Sequence, residues 1–242
     1  MVIVSRGSGA FSVHIRIVYN TVMPIHKEFD KTFFKKWSHD MAYILGFLFA
    51  DGNIIKTKRN THFVGIYSAD YELLLSISNA LSSNHKISTC SYESGSVYKI
   101  QIGSKELFGD LVMLGLTPNK SKRMKLPKVP KKYCSDFIRG YFDGDGCVWK
   151  GMTHLNRKTP TLAILTVFVS ASFDFLNGLF SLLKEFGVIG GSLYKSKSGT
   201  YARLSFSTFD SLKIYEIMYN KPHKLFLLRK KLIFEKFMQM RS

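Results

Sequence analysis

The chain has 242 residues with 45% hydrophobic content, enough for one large domain or two of about 100 residues. It carries 35 Lys and Arg against 17 Asp and Glu, a formal net charge of +18, which points to nucleic acid or an anionic membrane far more than to a small metabolite. No apolar run reaches the ~20 residues that span a bilayer, and three scattered cysteines (Cys90, Cys134, Cys147) exclude a disulfide framework or a Cys-rich zinc site.

The first twenty residues lack the order of a secretory signal. Their alternation in SVHIRIVY allows a short strand, an expression remnant or an untidy tail, so residues 1–32 are set apart as an N-terminal extension. The first strong element is YILGFLFADGN, Tyr43 to Asn53, an apolar helical segment that ends on Asp51 and Gly52. Next, YSADYELLLSISNALSS opens on Ser68-Ala and enters a helical period. YESGSVYKIQI reads as a hairpin turning at Ser and Gly, and SKELFGDLVMLGL as an amphipathic helix. A first half-domain over 33–116 follows from this order.

Thr117 to Lys132 holds three prolines, six lysines, one arginine and no acid. Proline blocks regular structure, and the charge favours an extended, solvated path that suits a phosphate backbone. Residues 117–134 are therefore a linker. The second half-domain, 135–242, repeats the first. FIRGYFDGDGC ends on Asp145 and Gly146; Asp51 and Asp145 are 94 positions apart, as are Gly46 and Gly140. Ser170 opens the segment equivalent to that of Ser68, 102 positions on. Each half reads helix, two strands, helix, two strands, helix. The fold class is thus α+β, two pseudo-symmetric αββαββα half-domains.

Gly46 and Ala50 are four apart, as are Gly140 and Gly144, so each helix carries a strip of small residues. Glycine inside a helix costs about 1 kcal/mol relative to alanine, which close approach of the two helices would justify. Ile44, Leu48, Ile138 and Phe142 then pack each half's own core. Gly52 and Gly146 read as helix stops, glycine being at ease in the left-handed conformation. An acid at a helix C-terminus is unfavourable by about 0.3–1 kcal/mol. Two carboxylates at ~4 Å and an effective dielectric of 20 repel by about 4 kcal/mol. A divalent cation removes the conflict, and carboxylate, carbonyl, water and phosphate oxygens are the ligands Mg²⁺ prefers. Asp51 and Asp145, with the backbone of Ala50 and Gly144, form the candidate metal site.

The segments ILGFLFADG and IRGYFDGDG resemble the two LAGLIDADG motifs of single-chain homing endonucleases, and the resemblance covers about residues 33 to 238. It implies an antiparallel β-saddle along the DNA major groove and Mg²⁺-dependent double-strand cleavage with 3′ overhangs at a long asymmetric target. Two or three divalent ions are implied, with Mn²⁺ or Ca²⁺ able to substitute for binding. Asp51 and Asp145 map to the metal-binding acids. Lys120 and Lys230 are the best matches to the lysine that the family places near each centre, downstream of the second helix of each half. Ser68 and Ser170 match polar positions at strand-to-helix corners. Two residues depart from the motif. Asp143 is read as a solvated or helix-end acid, and Arg139 replaces an apolar residue.

Strand alternation puts Lys56 with Lys58, Lys99 with Gln101, Lys195 with Lys197, and Tyr201 with Arg203 and Ser205, each set on one face, as candidate base readers. Arg59, Lys150, Arg157 and Lys158 are assigned to loops and to phosphate. The partner is double-stranded DNA, with no membrane and no obligatory protein partner. A monomer is expected because both halves share one chain. The chain neither starts with Cys or Ser nor ends in His-Asn, so it reads as free-standing or intron-encoded rather than as an intein. The compartment is intracellular: a bacterial or phage-infected cytoplasm, or an organelle. The alternatives are an RNA maturase, with its own intron RNA as partner, and a transcription regulator on the same scaffold. A structural ribosome-associated protein would leave the paired acid-glycine helices unexplained.

Overall fold

A computed structural model describes residues 27–92 and 95–241. The SVHIRIVY stretch lies outside the described residues. Helix α1 (His39–Asp51) starts at Ser38, whose side chain accepts from the Met41 amide at 3.0 Å, and buries every residue from Met41 to Phe49. A helix apolar on all sides belongs in an interior, and that is where α1 lies. It runs directly into β1 (Gly52–Lys56) and β2 (His62–Ser68), then α2 (Tyr71–Ala80), β3 (Ser88–Tyr92), β4 (Gly95–Gly103) and α3 (Lys105–Met113).

The second half repeats this order with α4 (Cys134–Asp145), β5 (Gly146–Thr153), β6 (Thr161–Ser170), α5 (Phe173–Glu185), β7 (Ser192–Lys195), β8 (Ala202–Phe206) and α6 (Thr208–Tyr219). A further helix, α7 (Leu228–Gln239), follows it. The sheets are antiparallel and alike, ordered β1-β2-β4-β3 and β5-β6-β8-β7. The α+β plan with αββαββα halves holds. Even the helix starts correspond: Asp70 and Ser172 cap α2 and α5 by accepting from Leu73 and Phe175 amides.

Helices α1 and α4 pack against each other at the centre. A methyl on Gly46 would stand 2.1 Å from the Phe137 carbonyl oxygen, and one on Gly140 2.0 Å from that of Tyr43. No side chain fits there, so backbone meets backbone. Gly52 and Gly146 are not left-handed caps as expected. Both are extended, at φ −86° and −84°. Glycine is needed there because a Cβ would lie 2.5 Å from Leu48 O and 2.2 Å from a Phe142 ring carbon. The chain turns from helix to strand directly over the preceding turn.

The linker also departs from a purely solvated path. It forms two short 3₁₀ turns, Lys120–Lys122 and Lys131–Tyr133, and buries Met124. Its backbone is anchored where Met124 O accepts from Ser172 Oγ at 2.6 Å.

Candidate active site

Both motif helices end at the same edge of the α1–α4 contact. Asp51 reaches across it, for a methyl on Gly144 would stand 3.4 Å from Asp51 Oδ2 and 2.3 Å from the Ala50 Cβ. Asp145 is half-buried, and its pKa is pushed up to about 6, first by burial and then by the Asp51 charge. Burial also raises Asp51. Two carboxylates, Asp51 exposed and Asp145 half-buried, stand at two negative helix ends.

Two lysines answer this charge. Lys120 Nζ donates to the carbonyls of Leu48 (2.6 Å), Phe49 and Ala50 (2.8 Å) at the end of α1. Lys230, buried in the first turns of α7, donates to Phe142 (2.7 Å), Asp143 (2.8 Å), Gly144 (3.4 Å) and Gly146 (2.6 Å) at the end of α4. Each lysine thus caps the motif helix of its own half. The charges act crosswise. Among the aspartates of the pair, Lys120 is felt most by Asp145, and Lys230 most by Asp51. Burial lowers both lysines to about 8.

The serines sit at the strand ends, as the sequence suggests. Ser68 Oγ accepts from the Asp70 amide (3.0 Å) and Ser170 Oγ from the Ser172 amide (3.1 Å), which fixes each strand-to-helix corner. Ala50, Lys120, Asp145, Ser170 and Tyr201 line a cleft of about 270 Å³. A larger cavity of about 340 Å³ lies elsewhere, between Phe29, Phe63, His85 and Gln101, and contains none of the four charged groups. The acid pair marks the site better than cavity size does.

Asp143 is not solvated. It is 3% exposed and accepts from Tyr43 Oη (2.7 Å) and the Leu227 amide (2.8 Å). It ties α1 and the segment before α7 to α4, so it supports the site from behind. Arg139 is equally buried, donating to Asp136 (2.7 Å), Leu225 O (3.0 Å) and Met218 O (2.9 Å). Sequence reasoning missed this cluster and also Tyr141, whose hydroxyl donates to Val169 O at 2.7 Å. The available signal was the repeat itself, which sets Tyr141 against Phe47 and Arg139 against Leu45.

The helices cover one face of each sheet and leave the other open. On the first open face, register aligns Asn53, Gly65 and Gln101, and beside them Tyr67 and Lys99. Lys99 and Gln101 thus share a face as expected. Lys56 does not join them: it pairs with His62 on the opposite parity, and Lys58 lies beyond the strand. Arg203 and Ser205 share the second open face, with Tyr201 exposed just before them. Lys195 pairs with Ala202 on the helix side, and Lys197 falls in the following turn. Lys150 is not in a loop; it is in β5, opposite Ile164, and reaches the sulfur of Met240 at 3.4 Å. Strand lengths decided these cases, because a one-residue shift reverses the face. Arg59, Arg157 and Lys158 are exposed in hairpin turns. Among the described residues, none of the eight strands carries an acid.

Comparison with known proteins gives concordant results. The LAGLIDADG-like domain family matches residues 38–112 and 132–219, one match per half. A probable translation initiation factor IF-2 from Thermococcus kodakarensis is 31% identical over 161 residues, 64% of this chain but 12% of that protein. An uncharacterised protein from Methanocaldococcus jannaschii is 27% identical over 188 residues, 74% of this chain and 66% of its own length. Among solved structures, I-SmaMI bound to an uncleaved DNA target with calcium ions superposes with a TM-score of 0.57 at 12% identity, covering 84% of this chain and 90% of that one. The LAGLIDADG meganuclease I-AabMI bound to uncleaved DNA gives 0.56 at 14% identity, covering 82% and 88%. These superpositions establish a shared fold.

Proposed function

The chain belongs to the LAGLIDADG-like domain family, and on that premise we propose that it is a site-specific, Mg²⁺-dependent endonuclease that cuts both strands of duplex DNA and leaves 3′ overhangs. The observation that carries the reading is the meeting of Asp51 and Asp145 at the ends of two packed helices, beneath two acid-free sheets. A binding protein has no use for two carboxylates that repel each other. The solved relatives I-SmaMI and I-AabMI are described in complex with DNA targets, which supports the same partner here.

The donors at the site suit a hard divalent cation. They are all oxygen: two carboxylates, with the helix-end carbonyls of Ala50 and Gly144 taken up by the Lys120 and Lys230 ammonium groups. Among the described residues no three His, Cys, Asp or Glu side chains form a metal cluster, so water and DNA phosphate would complete the shell. The cation would supply an activated water and stabilise the leaving oxygen of the phosphodiester. The chain's own residues do the rest. Asp51 and Asp145 hold negative charge at the scissile position. Lys120 and Lys230 keep the helix ends in place and offset that charge from opposite sides. Ser68 and Ser170 hold the corners from which a water is oriented.

The test is cleavage of a randomised duplex library with Mg²⁺, followed by sequencing of the ends. Ends clustered at one long motif with short 3′ overhangs are expected. Mg²⁺-independent enrichment of a bound motif without cutting would point instead to a regulator, and cutting or binding of RNA alone to a maturase.

A further inference from the structure

The duplication makes each residue of one centre comparable with its equivalent in the other. At the strand ends Ser68 pairs with Tyr98, and Ser170 with Ala202. The residues just before those partners, Val97 and Tyr201, therefore hold equivalent places. One centre has an isopropyl group where the other has a phenol. The motif helices differ in the same sense, with Phe47 standing where the second has Tyr141. Tyr141 donates to Val169 O at 2.7 Å and also interacts with the Asp145 carboxyl and the Ser170 hydroxyl. It braces the second corner from within, and Phe47 has no hydroxyl with which to do the same.

Strand alternation groups Tyr201 with Arg203 as a base reader, but its side chain is placed for other work. It lines the cleft of about 270 Å³ together with Asp145, Lys120 and Ser170. It is 46% exposed. Its amide donates to Ser196 Oγ at 3.2 Å, which fixes the backbone, while its hydroxyl has no partner among the described residues. Tyr67 and Tyr98 do not take its part in the first half. Tyr67 lies back over Gly65, where a Cβ would stand 3.0 Å from its Oη, away from the Ser68 corner. Tyr98 turns to the helix side and meets the Tyr71 ring at 5.1 Å. The second cleft thus offers a phosphodiester an open O–H beside the acid, and a hydrogen bond to an anionic oxygen is about twice as strong as one between neutral groups.

The geometry points to Tyr201 as a catalytic residue of the Asp145 centre alone, donating its phenol O–H to a non-bridging oxygen of the phosphodiester cut there, so that the two strands are cut unequally. This rests on the DNA-endonuclease reading above and deepens it. In the step, a water oxygen bonds to phosphorus and one ester P–O bond breaks. The leaving oxygen keeps the electron pair and takes up a proton, and the attacking water releases one. Tyr201 keeps its own proton throughout and stabilises the charge on the non-bridging oxygen in the transition state.

The experiment uses the full chain in excess over a duplex recovered by binding selection in Ca²⁺, with a different label on each strand, and follows both strands after Mg²⁺ is added. Wild type should cut one strand first. Tyr201→Phe, which removes only an exposed hydroxyl, should slow that strand roughly tenfold or more. It should change the other by less than about twofold, so that nicked duplex accumulates. Its affinity in Ca²⁺ should stay within about threefold. Val97→Ala, at the equivalent place, should leave both strand rates within about twofold. Equal slowing of both strands, slowing of neither, or slowing only of the strand that wild type cuts second would overturn the inference. So would an affinity loss as large as the rate loss, which would return Tyr201 to base reading. A wild type that binds the selected duplex and cuts neither strand would overturn the endonuclease reading itself, and the inference with it.

Discussion

Tyr43 on the first motif helix donates its hydroxyl to the buried carboxylate of Asp143 on the second, over 2.7 Å. This bond crosses the boundary between the half-domains, with Tyr43 eight residues before Asp51 and Asp143 two residues before Asp145. Tyr43→Phe should cost about 1.5–3 kcal/mol, since it leaves a buried acceptor short of a partner. Asp143→Ala should cost at least as much, because it also strands the Leu227 amide. The double variant should lose less than the two singles combined. Urea denaturation of the three proteins measures this, and simple additivity would count against the tie.

Glycine at the helix contact and glycine on the surface should respond in opposite ways. Gly140→Ala drives a methyl to 2.0 Å from the Tyr43 carbonyl, and only separation of the helices relieves it. The cost should exceed about 3 kcal/mol. Gly109 lies within α3 with no atom within 4 Å of its would-be Cβ. Gly109→Ala should stabilise by about 0.5–1 kcal/mol. Thermal melts of both variants suffice.

The acid pair makes stability depend on pH and metal. The folded-state value of Asp145 stands at about 6 against an ordinary 3.8. Between these values the folded protein binds the proton more tightly than the unfolded chain, so stability falls as pH rises through that window. With EDTA, Asp145→Asn should therefore raise stability at pH 7.5 by about 1–2 kcal/mol, allowing for solvent screening of a half-buried group. The gain should fade as pH falls from 6 toward 4. Divalent ions should stabilise the wild type at pH 7.5 and leave the Asp51→Asn/Asp145→Asn variant nearly unchanged. A pH-independent gain would mean that the carboxylates do not burden the fold.

Turn residues and sheet residues should separate in DNA binding. Arg157→Ala or Lys158→Ala should weaken binding to all sequences alike and reduce the slope of log K against log salt by about 1. Gln101→Ala should leave that slope and relax base preference. Binding isotherms at several salt concentrations distinguish them. A lost slope in Gln101→Ala would place that residue on phosphate.

Much of this was legible because duplication writes the design twice. The spacing of Gly46, Asp51, Gly140 and Asp145 is a local periodic signal, and helix geometry turns it into a two-helix contact. Asp143 was misread because its partners, Tyr43 and Leu227, lie 100 and 84 residues away. Arg139 finds its acceptors at Met218 and Leu225 in the same way. Burial of a charge depends on partners that no local window contains. Lys56 and Lys150 were misplaced for a smaller reason: face assignment needs strand register, and pairing sets register. Gly52 and Gly146 were recognised as required glycines with the wrong cause, since steric closeness to the preceding turn, not a positive φ, excludes a side chain.

The most direct measurement takes a supercoiled plasmid carrying the selected site, incubates it with Mg²⁺, and compares wild type with Asp51→Asn and Asp145→Asn while measuring DNA binding in parallel. The account predicts linear product from the wild type. It predicts none from either variant, with affinity in Ca²⁺-free buffer held within about threefold, since neither carboxylate lies on an open sheet face. Double-strand cutting that survives in either variant, or binding lost together with cutting, would contradict the role assigned to the pair.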